Sequence, residues 1–290
     1  MKRIFIFLLF SIVIFQTNAQ INPNGIPIKF NAGDWKLVSD DFGMCMLGHD
    51  VIAGPILIIE HVNSDIEALK KQLESGYEEE GMQLFPSNSA KVEGNNNVSI
   101  NYSGNAQGSS IKAKAIGILS NKSYCKGLVI LILTETSADD TKQKDAIKKI
   151  AQSIEYIKPT DPQNWKSKLN GQKLVDRESH SSSDSSPDGS FYVSVSKNSS
   201  SIYSFCSDGT FRYDYSSSSS SSGSGLDSNM DKDSYSEQGQ WVIATINNTP
   251  MVKFMYTSGL IEYHEISRHE SGHYYLNGSQ YTKGPSDYCK

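Results

Sequence analysis

The fold is decided by the stretch WVIATINNTPMVKFMYTSGLIEYHEISRHESGHYYLNGSQY, residues 241–281. It contains short strand-like runs in which apolar or aromatic residues recur between polar ones. Turn-forming pairs separate these runs at short intervals, as hairpin connections do. The stretch therefore predicts an antiparallel ladder, with turns at Asn247-Asn248, Ser258-Gly259, Ser271-Gly272 and Asn277-Gly278.

The same ladder contains His269-Glu270-Ser271-Gly272-His273, a pattern in which metalloproteases use the two histidines as zinc ligands and the glutamate as general base. That chemistry needs a helix, because positions i and i+4 must share a face at close range. On a strand the two histidines would lie about 13 Å apart. We predict a hairpin turn without catalytic or metal-binding residues. A zinc-dependent hydrolase built on His269, Glu270 and His273 is the alternative.

The ladder belongs to a longer region, residues 165–290, which is rich in serine and shows no helical periodicity. Asp208-Gly209 is a strong hairpin turn, and the aromatic residues after it alternate with polar ones, as in a half-buried strand. Roughly eight short strands favour a small antiparallel barrel or a sandwich. The arrangement resembles the lipocalin-like barrel domains of exported bacterial proteins in strand count and turn spacing.

Serine tracts interrupt this half of the chain. Residues 216–238 form a long gap between strand-like runs, and such a gap predicts a disordered loop, because serine cannot bury apolar surface. Within it, oxygen-bearing residues alternate as in a calcium loop, although Lys232 stands where that loop needs glycine. A weak calcium site is therefore the minor alternative at Asp227, Asn229, Asp231 and Asp233.

Residues 20–158 have a different pattern. The apolar run from Pro55 to Ile59 suits a strand covered on both faces. Ser64 and Glu67 form a capping box at the start of a helix, and a second helix is predicted to begin near Ser137. We predict an α+β domain, with an antiparallel sheet and two helices, joined to the second half by a linker at residues 159–164.

The order of these elements resembles the PsbP-like fold. The resemblance is carried by Gly54-Pro55-Ile56-Leu57-Ile58 before a helix, by Ala113-Lys114-Ala115-Ile116-Gly117 in the strand meander, and by Ile150-Ala151-Gln152-Ser153-Ile154 at the end of the closing helix. The family is named for an extrinsic subunit of the photosynthetic oxygen-evolving complex. It implies a fold and a binding or assembly role, and no catalytic residues.

The N-terminus predicts export. Residues 1–19 have a short basic start, an apolar run and Ala19 before the expected cut, as in a secretory signal peptide. We therefore expect a periplasmic or extracellular protein without stable membrane insertion. In that setting the four cysteines predict two disulfides, and the division into two halves favours the pairs Cys45–Cys125 and Cys206–Cys289.

The functional expectation is a non-enzymatic binding or assembly protein without a cofactor, whose partner is a protein or a small ligand. The formal net charge of −5 argues against a nucleic-acid partner, because phosphate binding needs a basic face. The aromatic residues of the second half either fill a core or line a mouth that binds a small ligand or glycan. They are Tyr203, Phe205, Phe211, Tyr213, Tyr215, Trp241, Phe254, Tyr256, Tyr263, Tyr274 and Tyr275.

Overall fold

The computed structural model describes residues 20–79, 81–138, 141–185, 192–223 and 226–289. The predicted signal peptide, residues 1–19, lies outside the described residues, and so do Asp139 and Asp140 at the predicted start of the second helix. Within the described ranges, no helix is long and apolar enough to cross a membrane.

The N-terminal unit is built from short strands and two helices. In chain order they are β1 (Gln20–Ile21), β2 (Ile28–Asn31), β3 (Lys36–Asp41), β4 (Met44–Gly48), β5 (Ile56–His61), α1 (Ile66–Glu74), β6 (Tyr77–Glu79), β7 (Met82–Pro86), β8 (Lys91–Glu93), β9 (Asn97–Ala106), β10 (Ser109–Lys122), β11 (Cys125–Glu135), α2 (Thr141–Ser153) and β12 (Glu155–Tyr156).

These strands form a nine-stranded sheet in the order β3-β4-β5-β11-β10-β9-β7-β6, with β8 beside β9, and a small sheet of β1, β2 and β12. Both faces of the large sheet are covered. Helix α1 packs Leu69 and Leu73 on one face, and α2 packs Ile147 and Ile150 on the other, together with the small sheet. The prediction of a sheet with two helices is therefore confirmed for this unit, and β5 is covered on both sides as expected.

The helix boundaries differ from the prediction. The N-cap of α1 is Asp65, not Ser64, and its carboxylate accepts the amide of Ala68 at 2.8 Å. The helix ends at Glu74, and Tyr77 begins β6. Either an aspartate or a serine can cap a helix, so two adjacent capping residues leave the start ambiguous by one position.

The C-terminal unit is a short helix followed by eight strands. They are α3 (Trp165–Leu169), β13 (Gln172–Ser185), β14 (Tyr192–Phe205), β15 (Thr210–Gly223), β16 (Leu226–Ile246), β17 (Thr249–Tyr256), β18 (Ile261–Arg268), β19 (Tyr274–Leu276) and β20 (Ser279–Pro285). The strands close into an antiparallel barrel in chain order. Of the two predicted shapes, the structure is therefore the barrel and not the sandwich.

Aromatic side chains fill the barrel. Tyr203 lies 4.5 Å from Tyr213 and 5.1 Å from Phe254, measured between ring centroids. Trp241 is fully buried, and its indole nitrogen donates to the carbonyl of Cys206 at 3.1 Å. Most of the predicted aromatic cluster is thus core, whereas Tyr263 lies on the outer wall, opposite Lys253 in the strand register.

The first four barrel strands continue beyond the barrel wall. Strand β13 pairs with β20 only as far as Val175, and β16 pairs with β17 only from Gly239 onward. Past these points four strands form what we call the protruding sheet, comprising residues 176–185, 192–201, 214–223 and 226–237.

The protruding sheet corrects the prediction of a disordered loop at residues 216–238. The described residues of that range, 216–223 and 226–238, belong to β15 and β16, with Ser216 opposite Ser234 and Ser219 opposite Asp231, while residues 224 and 225 lie outside the described part of the chain. The loop prediction considered only apolar burial, but an antiparallel ladder also satisfies its own backbone groups. The serine tract continues a ladder that the barrel core has already started, so it needs no apolar anchor of its own.

The structure also corrects the cysteine pairing. Cys206 and Cys289 form the expected disulfide, whereas Cys45 and Cys125 are free and buried. Through β5, Cys45 is in register with Ile130, five residues from Cys125 along β11. Two thiols about 17 Å apart along the strands and two strands apart across the sheet cannot bond, since disulfides need Cα atoms within about 7 Å. Burial raises the pKa of Cys45 to about 12, so its thiol stays neutral.

Candidate functional site

The two units meet at a buried ion pair. Glu60 on β5 of the N-terminal unit contacts Lys253 on β17 of the barrel, and their side chains are 0% and 1% exposed. The Lys253 ammonium also donates to the carbonyl of Tyr124 at 2.9 Å. A buried charge is tolerated only when it is paired and hydrogen-bonded, so these contacts fix the relative position of the two strands.

Tyr263 completes this junction. Its hydroxyl lies 3.0 Å from Glu60 Oε2 and 3.0 Å from the carbonyl oxygen of Gly25. Burial first, and then the Glu60 carboxylate, raise the pKa of Tyr263 well above its usual value, so the hydroxyl remains a donor. Gly25 can take its position because it has no side chain, since a Cβ there would overlap the carbonyl oxygen of Asp41.

A groove begins beside the ion pair, where the chain continues from the segments that make its contacts. Val62 follows Glu60 by two residues, Met255 follows Lys253 by two residues, and Lys126 follows Tyr124 by two residues. These three residues line a groove of about 710 Å³ between the units. We call it the junction groove. The ion pair therefore sets the distance between its walls.

The groove walls combine polar and apolar surface in about equal parts and carry one charge of each sign. From the N-terminal unit come Val62, Asn63, Ser64, Ala68 and Lys126; from the barrel come Asp208, Thr210, Phe211, Gln238, Gly239, Gln240, Met255, Tyr256, Thr257 and Tyr288.

Several groups in the groove have unused hydrogen-bonding capacity. Gln240 Oε1 is a buried acceptor without a hydrogen-bond partner among the described residues. Lys126 makes no ion pair within the described ranges, and Asp208 uses Oδ1 to accept the amide and hydroxyl of Thr210. Those two bonds lower the pKa of Asp208, so its carboxylate is ionised. The site can thus offer amide, hydroxyl, ammonium and carboxylate groups to one ligand.

The disulfide holds one end of the groove. Cys206 lies two residues before Asp208, and Cys289 directly follows Tyr288. Tyr288 is 41% exposed, and the Arg212 guanidinium lies 5.4 Å from the centre of its ring. The disulfide therefore attaches the C-terminal tail where it presents an aromatic face to the groove.

The predicted zinc motif lies elsewhere, in a turn. Residues 269–273 connect β18 and β19, and Arg268 and Tyr274 on either side pair in register. The His269 ring bonds to Ser271 in the same turn. The predicted hairpin is confirmed, and the helix that the metalloprotease arrangement needs is replaced by this turn. No group of three or more potential metal-ligating side chains occurs in the described part of the chain.

The calcium-loop pattern also falls on a strand. Residues 227–233 belong to β16. The side chains of Asp227 and Asn229 lie outside the described part of the chain, and Asp231 and Asp233 alternate along the strand about 7 Å apart. A calcium loop instead folds around the ion so that its ligands converge at 2.3–2.6 Å. The spacing of Asp231 and Asp233 thus reflects strand periodicity.

His61, beside Glu60, is buried and neutral. Its Nε2 lies 3.1 Å from the carbonyl of Ile118, which only an N–H can satisfy, and Nδ1 has no partner among the described residues. Burial lowers the pKa of His61 from 6.5 to about 4.

This pKa predicts a loss of stability in mild acid. Between pH 6.5 and about 4 the unfolded chain binds a proton that the folded chain does not, so the free energy of unfolding should fall as the pH falls through that range. The expected contribution is about 3 kcal/mol. Urea unfolding should be measured at several pH values between 6.5 and 4. The free energy of unfolding should fall more steeply with decreasing pH for the wild type than for His61→Gln. If the free energy of unfolding depended on pH equally in the two proteins, the lowered pKa of His61 would be contradicted.

Sequence reasoning missed the junction. Glu60, Lys253 and Tyr263 are far apart in the chain, and no local pattern links them. One signal was present: Lys253 interrupts an apolar strand at a position that faces outward from the barrel. From sequence alone, such a lysine is expected to be exposed to solvent. It becomes buried only if another unit covers the outer wall of the barrel at β17.

No protein-family model matches the sequence, and no curated protein matches it. Among solved structures, the Ran-binding protein Mog1p of Saccharomyces cerevisiae is similar to this chain with a TM-score of 0.34 and 10% sequence identity, covering 49% of this chain and 96% of Mog1p. A TM-score of this size carries no argument about function.

Proposed function

We propose that this chain is an exported, non-enzymatic binding protein that takes a neutral, hydroxyl-rich small ligand, of the glycan class, in the junction groove. The observation that carries the proposal is the position of the groove between two units held together by a buried ion pair. Ligand sites occur preferentially at such interfaces, and a volume of about 710 Å³ lies within their usual range.

The chemistry of the walls supports this ligand class. Amides such as Asn63 and Gln238 both donate and accept, as sugar hydroxyls require. One ammonium and one carboxylate balance in charge, which favours a neutral ligand over an ion.

The fold supports the proposed binding role, and the disulfide supports the proposed export. The N-terminal unit is a sheet covered by two helices, in agreement with the resemblance to the PsbP-like fold, and the C-terminal unit is a closed eight-stranded barrel, in agreement with the resemblance to lipocalin-like domains. The Cys206–Cys289 disulfide suits an oxidising compartment, in agreement with the predicted signal peptide.

Calorimetric titration with a panel of neutral di- and trisaccharides tests the proposal. At least one sugar should bind the wild type, and Tyr288→Ala or Gln238→Ala should each weaken binding about tenfold, the effect of losing roughly 1.4 kcal/mol. Tyr275→Ala is the matched control, because Tyr275 is a half-buried tyrosine whose hydroxyl bonds to Gln280, away from the groove. Absence of binding across the panel, or equal losses in Tyr275→Ala, would refute the ligand class.

A further inference from the structure

The long strand β16 has a free edge over half its length. Residues 226–237 pair with β15 on one side, and pairing with β17 begins only at Gly239. In an antiparallel strand, about half of the backbone N–H and C=O groups point to each side. The outward groups of residues 226–237 are therefore available to another strand.

The side chains along this edge are acidic on one face. Glu237, Asp233 and Asp231 lie opposite Tyr213, Ser217 and Ser219, so all three share the face that continues the barrel interior. None of these three carboxylates makes an ion pair with any residue that the structure describes. The face is thus net negative, although Lys197 of β14 lies on it two strands away from Asp231.

An exposed aromatic ring lies among these carboxylates. Tyr235 is 49% exposed, and its ring centre lies 5.2 Å from that of Tyr215 and 5.9 Å from that of Tyr213. A shallow groove of about 440 Å³ runs beside this edge, and Tyr215, Asp231 and Asp233 line it together with Lys197 and Lys232. Tyrosine rings and carboxylates together suit Lys or Arg side chains, through cation–π contacts and ion pairs.

The charge pattern excludes a second copy of this chain as the occupant. Two β16 edges paired with each other would bring the carboxylates of one against those of the other, which destabilises the pair. The opposite edge of the protruding sheet, on β13, carries Asp176, Glu178 and Asp184 on the same face, so it would also repel β16. The complementary occupant is therefore basic.

We propose that the free edge of β16 binds an extended basic segment of a partner protein by strand addition. The segment's backbone pairs with residues 231–237, and its alternate Lys or Arg side chains face Asp231, Asp233 and Glu237. In this mode the main-chain hydrogen bonds give affinity and the alternate side chains give specificity. The proposal does not depend on a ligand in the junction groove.

Fluorescence anisotropy with a labelled nine-residue peptide of alternating lysine and threonine, at physiological ionic strength, tests this. The peptide should bind, and the same peptide with glutamate in place of lysine should not. The triple variant Asp231→Asn, Asp233→Asn, Glu237→Gln should lower the affinity at least about tenfold, since three complementary charges are lost. A lysine–threonine peptide N-methylated at alternate residues, on the edge that faces β16, should also lose binding, because it cannot complete the ladder.

The matched control is Asp176→Asn with Glu178→Gln, which removes two carboxylates from the other edge of the same sheet. This variant should bind the peptide as the wild type does. Equal binding of the N-methylated peptide would show attraction by charge without strand addition and would overturn the proposal. A larger loss in the β13 variant than in the β16 variant, or no binding of the lysine–threonine peptide to the wild type, would overturn it as well.

Discussion

Replacing Lys253 by methionine should destabilise the protein by about 3–5 kcal/mol, the usual cost of removing one partner from a buried ion pair. Methionine fits the volume of the lysine stem, so little packing is lost. The loss arises because the Glu60 carboxylate would remain fully buried without its counter-ion. The free energy of unfolding, measured in urea by tryptophan fluorescence, should fall accordingly.

Two further variants separate charge from packing in this experiment. Glu60→Gln combined with Lys253→Met removes both charges, and it should recover a large part of the stability that the single variant loses. Lys36→Met breaks an ion pair with Asp50 in which both side chains are mostly exposed, so its unfolding midpoint should stay close to that of the wild type. A small effect of Lys253→Met, or a double variant as unstable as the single one, would show that the junction does not depend on this pair.

Removal of the Cys206–Cys289 disulfide should cost about 4.5 kcal/mol. The bond joins residues separated by 83 positions. In the chain-entropy model, closing a loop of that length lowers the entropy of the unfolded chain and so stabilises the folded state by this free energy. Cys289→Ala should therefore lower the free energy of unfolding in urea, and a reducing agent should do the same to the wild type.

The controls for the disulfide use the other cysteines and the double variant. Cys206→Ala, Cys289→Ala and the double variant should lose similar amounts, because each abolishes the same bond. The denatured, unreduced wild type should titrate two free thiols, from Cys45 and Cys125, and four after reduction. Four free thiols before reduction would contradict the Cys206–Cys289 disulfide. No free thiol before reduction would instead support a second disulfide between Cys45 and Cys125, as the sequence predicted.

These two expectations bear on the proposed function. The ion pair fixes the two strands that begin the junction groove, and the disulfide fixes the segment that carries Tyr288. A rigid groove binds with a lower entropic cost than one that must close around its ligand. Lys253→Met should therefore weaken sugar binding even though Lys253 lies outside the groove.

Much of the fold could be predicted from local sequence. The run Pro55 to Ile59 is apolar at every position, and it forms a strand covered on both faces. The turn at residues 269–273 followed from the alternating runs on either side. Helix α1 was predicted from the capping box at Ser64 and Glu67, although Asp65 rather than Ser64 caps it. In each case the interactions that decide the structure lie within a few residues.

The errors came from interactions between distant segments. Residues 216–238 carry few apolar side chains, yet their described part, 216–223 and 226–238, forms strands because the barrel aligns β15 and β16 and their backbones pair onward from there. A disulfide between Cys45 and Cys125 was predicted because both lie in the same half of the chain, but the register of β4, β5 and β11 separates them.

The sequence by itself determined the elements: which runs are strands, where hairpins turn, and that two units of different composition follow each other. These properties depend on local periodicity and turn chemistry, which a chain carries wherever it folds. Only the tertiary structure decided that Glu60, Lys253 and Tyr263 meet, that a groove opens beside them, and that β16 keeps a free acidic edge. Such features depend on which surfaces the packed units bring together, and residues 193 positions apart carry no local mark of that contact.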